Sequence, residues 1–171
     1  MARLRKNCAY RRLERPYTRI SKYRKKSFVR SRPNIVISRY EMGNNKADFK
    51  YHMYLVAKGE VQIRHNALEA ARQTANRLLE RTFGKENYFF KLLVFPHHIL
   101  RENPLAAGAG ADRLSTGMKM SFGKTIATAA RVKLNQKLYK VGFNDKTKAN
   151  TVKTALERAS KKLPVKCYII E

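Results

Sequence analysis

The segment VQIRHNALEAARQTANRLLERTFGKENYFFKLLVF, residues 61–95, carries the patterns that decide the fold. Val61–Arg64 has strand composition and follows a breaking Gly59, so it predicts a short strand. Residues 88–95 form a near-continuous apolar run of strand length, which predicts a buried strand ended by Pro96. The segment therefore predicts a strand, a connecting helix and a second strand.

The connecting helix is predicted over residues 66–83, where apolar side chains recur at spacings of three and four. Its apolar face is formed by Leu68, Ala71, Ala75, Leu78 and Leu79. Asn66 is the predicted N-cap, with Glu69 three residues on as in a capping box, and Gly84 is a natural stop.

A weaker copy of this unit ends the chain, with a strand at 138–143, a helix at 146–162 and a strand at 165–170. Val152, Ala155, Leu156 and Ala159 form the apolar face of that helix. Two such units predict an α+β fold in which two helices pack on one face of a mixed or antiparallel sheet. Further strands are predicted at 34–38, 51–57 and 125–132, a turn at 41–46, a loop at 101–113 and a short helix at 114–122.

Charge points to a polyanionic partner. The 171 residues include 38 Lys and Arg against 12 Asp and Glu, a formal net charge of +26. Residues 1–40 hold 14 of these cations and one acidic residue, so a net +13 lies in less than a quarter of the chain. Such self-repulsion does nothing for folding and normally reflects a partner of opposite charge. The start of the chain has no apolar run after its cations, which predicts no secretory signal.

The first 33 residues read as a basic extension with interleaved aromatic rings, among them Tyr10, Tyr17, Tyr23 and Phe28. Cations bind phosphates, and flat rings stack on unpaired bases. The alternatives are a solvated basic tail and a polybasic membrane patch; the regular rings disfavour the first, and the missing apolar face or lipidation motif disfavours the second.

The motifs that could carry chemistry are weak. Gly123-Lys124-Thr125 lacks the earlier Gly of a phosphate loop, because position 118 is Met118. Adjacent His97 and His98 point to opposite faces of extended chain and rarely share a metal. Cys8 and Cys167 have no zinc or disulfide-scaffold spacing. No pair of titratable groups suggests acid–base chemistry, so we expect no enzyme, no metal and no cofactor.

A series of motifs in order then becomes recognisable, from about residue 10 to the C-terminus. They are Arg15-Pro-Tyr-Thr-Arg19, Glu41-Met-Gly-Asn44, Val61-Gln-Ile-Arg-His65, Ala67-Leu-Glu-Ala-Ala-Arg72, Ala75-Asn-Arg77, Leu100-Arg-Glu-Asn103, Gly108-Ala-Gly-Ala-Asp-Arg113, Gly117-Met118, Phe122-Gly-Lys124 and Ala129-Ala-Arg-Val132. Together they resemble the large-subunit ribosomal proteins called ten-e in archaea and eukaryotes, the counterparts of bacterial protein sixteen. The end at Glu171 resembles archaeal members more than eukaryotic ones.

This resemblance implies an α/β-hammerhead bound to 23S-type rRNA, close to 5S rRNA, neighbouring proteins and the A- and P-site tRNAs. It implies a structural role in forming the aminoacyl-tRNA site near the peptidyl-transferase centre of a cytoplasmic ribosome. The chain then divides into an rRNA-binding extension, 1–33, and one α+β domain, 34–171, with a flexible loop at 102–112 that reaches toward tRNA. Two other functions would also explain the net positive charge. One is a free nucleic-acid-binding regulator, which would not co-sediment with ribosomes, and the other is an enzyme that acts on RNA.

The candidate rRNA-binding residues are the cations and rings of the extension together with four polar residues of the domain. They are Arg3, Arg5, Lys6, Tyr10, Arg11, Arg12, Arg15, Tyr17, Arg19, Lys22, Tyr23, Arg24, Lys25, Lys26, Arg30, Arg32, Arg64, His65, Lys124 and Arg131. The candidate tRNA-proximal loop, with its flanks, comprises Arg101, Glu102, Asn103, Pro104, Leu105, Ala106, Ala107, Gly108, Ala109, Gly110, Ala111, Asp112 and Arg113.

Overall fold

The computed structural model describes residues 4–14, 33–103 and 123–171. Within them lie eight strands, numbered in chain order: β1 Glu41–Gly43, β2 Tyr51–Ala57, β3 Val61–Arg64, β4 Tyr88–Leu92, β5 His98–Glu102, β6 Lys124–Val132, β7 Lys137–Phe143 and β8 Cys167–Ile170. The two α-helices are α1, His65–Phe83, and α2, Ala149–Ser160. Short 3-10 turns occupy Asn7–Ala9 and Lys146–Lys148.

Five strands form the larger sheet in the order β1-β4-β7-β2-β8, and every pairing in it is antiparallel. β7 is its centre, with Val141 opposite Phe90 of β4 and Met53 of β2. β4 alternates in burial, with Tyr88, Phe90 and Leu92 turned inward. This alternation gives the sheet one apolar face, as period-two side-chain placement requires.

The remaining strands form a second antiparallel sheet in the order β3-β6-β5. One face belongs to the main core through Val61, Ile63, Ala130 and Val132. The other face carries a smaller apolar cluster with Leu100, Ala127 and Ala129. The three-stranded sheet is therefore covered on both sides.

Both helices contribute their apolar faces to the core of the larger sheet. Leu68, Ala71, Ala75 and Leu79 of α1 are fully buried, as are Val152, Ala155, Leu156 and Ala159 of α2. The helices also contact each other, and the hydroxyl of buried Tyr139 donates to the Leu68 carbonyl at 2.8 Å. Burial raises the pKa of Tyr139. The α+β class is confirmed, and the hammerhead arrangement stays a prediction.

The sheet arrangement differs from the single sheet expected from the sequence. The second unit is as predicted, since β7 and β8 lie in one sheet on either side of β2. The first unit is split, because β3 belongs to the smaller sheet while β4 belongs to the larger. In β3, Val61, Gln62 and Ile63 are all buried, so this strand lies between two layers, and its hydrogen-bonding partner is β6 of the smaller sheet.

Several local predictions were wrong. Residues 34–38 are irregular, and the turn at 41–46 contains β1. Strand β5 was not predicted: a strand was expected to end before Pro96, and a loop was expected at 101–113. The predicted capping box is absent because α1 begins at His65, with Arg64 at its N-cap and no side-chain cap. Leu78 is only half-buried, whereas Leu79 is fully buried. The predicted helix at 114–122 lies outside the described residues.

Candidate nucleic-acid interface

Residues 4–14 lie against the three-stranded sheet. Tyr10 is the anchor, 3% exposed, and its ring completes the small apolar cluster of that sheet. Leu4 and Ala9 pack at its margin. The sequence suggested a Tyr10 ring free to stack on bases; the structure places it in the interior, because a large ring fills the face that no helix covers.

Polar contacts hold the backbone of this segment to β3. The Gln62 side-chain Nε2 donates to the Tyr10 carbonyl at 2.9 Å, and its backbone N–H donates to the Arg11 carbonyl at 2.9 Å. Arg64 donates from Nη1 to the Arg5 carbonyl at 2.8 Å. The guanidinium of Arg64 also lies 5.8 Å from the centre of the Tyr10 ring. Of the predicted rRNA-binding residues, Arg64 is thus already engaged within the protein.

A second set of contacts joins the segment to the end of β5. Tyr10 donates from its hydroxyl to Oε1 of Glu102 at 2.7 Å, and Arg5 Nε donates to the same oxygen at 2.9 Å. Burial raises the pKa of Tyr10. Glu102 was predicted to belong to the tRNA-proximal loop; its carboxylate instead holds the N-terminal segment, at the point where the loop begins.

The exposed side of the segment forms a basic groove. Arg11 and Arg12 lie there beside Lys58 of the β2–β3 turn and Lys166, which precedes β8. The Lys58 N–H donates to the Lys166 carbonyl at 2.8 Å, which fixes these two lysines as neighbours. The groove encloses about 810 Å³, and Glu60 is its one acidic lining residue within the described chain. Four cations around an open groove suit a phosphate backbone.

Lys58 and Lys166 were not found from the sequence. Each is an isolated lysine just outside a strand, Lys58 after β2 and Lys166 before β8, with no periodic or motif signal. Only the pairing of β2 with β8 brings them together, and it does so over more than a hundred residues of chain.

A second basic groove runs between the two helices. Arg77 and Arg81, one turn apart on α1, face Arg158 of α2 across a cleft of about 650 Å³ that also has Glu80 in its wall. Helical spacing alone could have paired Arg77 with Arg81, since residues four apart share a face. Arg158 joins them only through the packing of α2 on α1.

The base of the predicted loop is a strand pair. Glu102 lies opposite Lys124 at the ends of β5 and β6, and Arg101 lies opposite Thr125. Gly123 is needed here, because a Cβ at that position would lie 2.6 Å from the Glu102 carbonyl carbon. Arg101 is buried, and Asn103 is half-buried. The residues between 103 and 123 therefore start and finish on adjacent strands.

The other predicted residues are divided between surface and interior. Lys6, Lys124 and Arg131 are exposed. His65 is buried, where its Nδ1 accepts from the Val36 N–H at 3.1 Å, and burial lowers its pKa. The rest lie outside the described residues: Arg3, Arg15, Tyr17, Arg19, Lys22, Tyr23, Arg24, Lys25, Lys26, Arg30, Arg32 and the segment 104–113.

Comparison with known proteins now decides the class. The family model described as ribosomal protein L16p/L10e matches residues 18–170, most of the chain. The chain belongs to the L16p/L10e ribosomal protein family. The predicted family is confirmed. The chain is therefore a ribosomal protein of the large subunit, and this family is not enzymatic.

Archaeal members of the L16p/L10e family are similar over nearly their whole length. The large ribosomal subunit protein uL16 of Archaeoglobus fulgidus is 47% identical over 161 residues, 94% of this chain and 88% of that protein. The uL16 of Methanococcus maripaludis strain C7 is 45% identical over 148 residues, 86% and 85% of the two chains. That of Nanoarchaeum equitans is 43% identical over 168 residues, 96% and 90%.

The described part of this L16p/L10e chain offers no metal-binding group of three or more His, Cys, Asp or Glu side chains. His97 is exposed while His98 is buried, as adjacent residues in extended chain should be. Both cysteines are free thiols, and burial raises the pKa of Cys167 to about 11. Within the same residues no helix is long and apolar enough to cross a membrane.

Proposed function

We propose that this protein binds 23S-type rRNA of the large subunit and helps to form the aminoacyl-tRNA region beside the peptidyl-transferase centre. The groove between Arg11, Arg12, Lys58 and Lys166 supports rRNA binding, because it concentrates four cations beside the docked N-terminal segment. As a ribosomal protein it is ribosome-bound and cytoplasmic.

The groove and residues 15–32 are both rich in cations. The cations and aromatic rings of residues 15–32 are the remaining candidates for rRNA binding. Residues 11–14 lead from the groove into that stretch, so phosphates bound at Arg11 and Arg12 would lie on the same path. Specificity would come from RNA shape and from bases that leave the helix, as is usual for RNA.

The tRNA-site part of the proposal is supported by the base of the loop. Residues 102–112 begin on a strand that is held from one side by β6 and from the other by Arg5 and Tyr10. A loop fixed so closely at its base can extend small side chains and glycines toward a ligand. By family resemblance, that ligand is the acceptor end of A- and P-site tRNA, with 5S rRNA and other large-subunit proteins nearby.

The test of rRNA binding is its dependence on salt. Each phosphate contact contributes about 0.7–0.9 to the slope of log K against log salt. Replacing Arg11, Arg12, Lys58 and Lys166 together with Gln should lower that slope by roughly three units. The measurement is binding of the purified protein to protein-free large-subunit rRNA across a salt series.

The control removes four exposed lysines elsewhere and so changes the net charge equally: Lys46, Lys50, Lys146 and Lys161. Its slope should change clearly less than that of the groove variant. Equal slopes for the two variants would show that the groove is not where the phosphates bind. Failure of the unmodified protein to bind or to co-sediment with large subunits would overturn the proposed function altogether.

A further inference from the structure

One exposed stripe of the domain is apolar and aromatic. Between β4 and β5 exposure alternates along the chain: Leu93, Phe95 and His97 are exposed, while Val94 and His98 are buried. Leu93 is 39% exposed and Phe95 38%. Neither the rRNA grooves nor the loop base uses this stripe.

A turn at Pro96 brings the rings of Phe95 and His97 together. The His97 N–H donates to the Phe95 carbonyl at 3.0 Å, which closes a three-residue turn around the proline. The fixed φ of proline, about −65°, suits the centre of such a turn. The ring centres of Phe95 and His97 are consequently 4.6 Å apart, with an angle of 44° between the planes.

Tyr40 supports the pair from inside. Its half-buried ring is stacked on Phe95, with centres 5.3 Å apart and planes only 20° from parallel. The Tyr40 carbonyl accepts from the Leu92 N–H at 2.8 Å, which ties residue 40 to the end of β4. The Phe95 ring is therefore held in one orientation although much of it faces solvent.

A cation lies next to these rings. Phe95, His97 and exposed Arg131 of β6 line one open pocket of about 400 Å³, together with Gln136. Among the described residues that line the pocket, none is acidic. A flat apolar ring beside an unopposed positive charge matches a nucleotide, which offers a π-face and a phosphate.

We propose that Phe95 and His97 form a stacking site for one unpaired rRNA base, with Arg131 on its phosphate. The chemistry favours RNA over a neighbouring protein, because two of the three outward side chains are aromatic and the nearby charge is positive. The inference deepens the proposed function by assigning a base contact to residues that do not line the phosphate grooves.

The first test uses oligoadenylate of four nucleotides and a matched oligonucleotide without bases. In NMR titrations of the full-length protein, oligoadenylate should shift the ring protons of Phe95 and His97 by ring currents, and the abasic probe should not. Phe95→Leu should weaken binding monitored at His97 by about 5- to 150-fold, the usual range for one stacked base. Phe95→Tyr should bind as the unmodified protein does.

Leu93→Ala is the matched comparison: Leu93 is as exposed as Phe95 and lines the same pocket, so an apolar contact would use both side chains, whereas stacking needs the ring. In large subunits, stacking predicts lower retention of the Phe95→Leu variant in salt washes, normal retention of Phe95→Tyr and little effect of Leu93→Ala. Equal losses for Leu93→Ala and Phe95→Leu, without base-dependent ring shifts, would indicate an apolar contact with a protein and overturn the inference. Because the unmodified protein would still bind rRNA, that result would leave the proposed function intact.

Discussion

The hydroxyl of Tyr10 donates a hydrogen bond of 2.7 Å to Glu102, a residue 92 positions further along the chain. One carboxylate oxygen thereby joins the N-terminal segment to the first residue of the predicted tRNA-proximal loop. The bond is partly buried, and the acceptor also pairs with Arg5 at 2.8 Å. Hydrogen bonds to a charged group are stronger than neutral ones, about 1.5–3 kcal/mol against about 1.

Tyr10→Phe should therefore loosen the N-terminal segment while it preserves the ring in the apolar cluster. The reporter is the Gln62 amide, whose N–H is covered by the Arg11 carbonyl. We expect its hydrogen exchange in the isolated protein to accelerate by roughly tenfold, the effect of about 1.4 kcal/mol. Tyr168→Phe, which removes an exposed hydroxyl bonded to Asn135, is the control. Unchanged Gln62 exchange in Tyr10→Phe would contradict the role given to this bond.

The burial of the α1 face predicts that alanine substitutions at the adjacent Leu78 and Leu79 differ in their cost to stability. Leu79→Ala and Leu156→Ala remove fully buried side chains and should lower the free energy of unfolding by about 2–5 kcal/mol each. Leu78→Ala, at the half-buried position beside Arg77, should cost clearly less. Denaturant unfolding of the three variants measures this. A Leu78→Ala loss equal to that of Leu79→Ala would refute the assigned helix face.

Acid should destabilise the domain through His98. Burial, with help from Arg131 and Arg101, lowers the pKa of His98 to about 4. A histidine whose folded pKa lies below its unfolded value, about 6.5, contributes full stability above 6.5. As pH falls from 6.5 toward 4 the unfolded chain takes up the proton first, so stability declines by up to about 3 kcal/mol.

Replacing His98 with Gln should flatten that part of the stability–pH curve, whatever it does to stability at neutral pH. His97→Gln, at the exposed neighbour, is the matched control. The measurement is denaturant unfolding between pH 7 and pH 4.5. If both variants keep the slope of the parent, His98 is not the group responsible.

Deleting residues 105–111 should separate the two parts of the proposed function. The groove cations and the anchored strand ends remain, so binding to large-subunit rRNA should stay nearly intact. Accommodation of tRNA or peptide-bond formation should be impaired in ribosomes that carry the shortened protein. Normal translation rates in such ribosomes would count against a tRNA role for the loop.

Local patterns in the sequence predicted much of the fold. The spacing from Leu68 to Leu79 placed α1 within one residue at its start, and Gly84, with φ +73°, ends it as expected. Strand β5 was missed because His98 and Arg101 are buried polar residues, so its hydrophobic run is only two residues long. The division into two sheets rests on the pairing of β3 with β6, a long-range contact that no periodicity records.

The candidate site was predicted unevenly for the same reason. Charge density identified Arg11 and Arg12 as phosphate ligands, and this stays a prediction that the groove geometry supports. Composition could not separate Tyr10, a core residue, from the other tyrosines of the extension. Lys58 and Lys166 become neighbours only when β2 pairs with β8.

The docking of residues 4–14 also sets where the chain can be cut. The outer face of the three-stranded sheet, with Leu100, Ala127 and Ala129, has Tyr10 as its cover. A fragment that begins at residue 34 would keep the two α-helices and the eight strands that the structure describes, yet present that face to water. Residues 4–14 therefore belong to the folded domain as much as the last helix does.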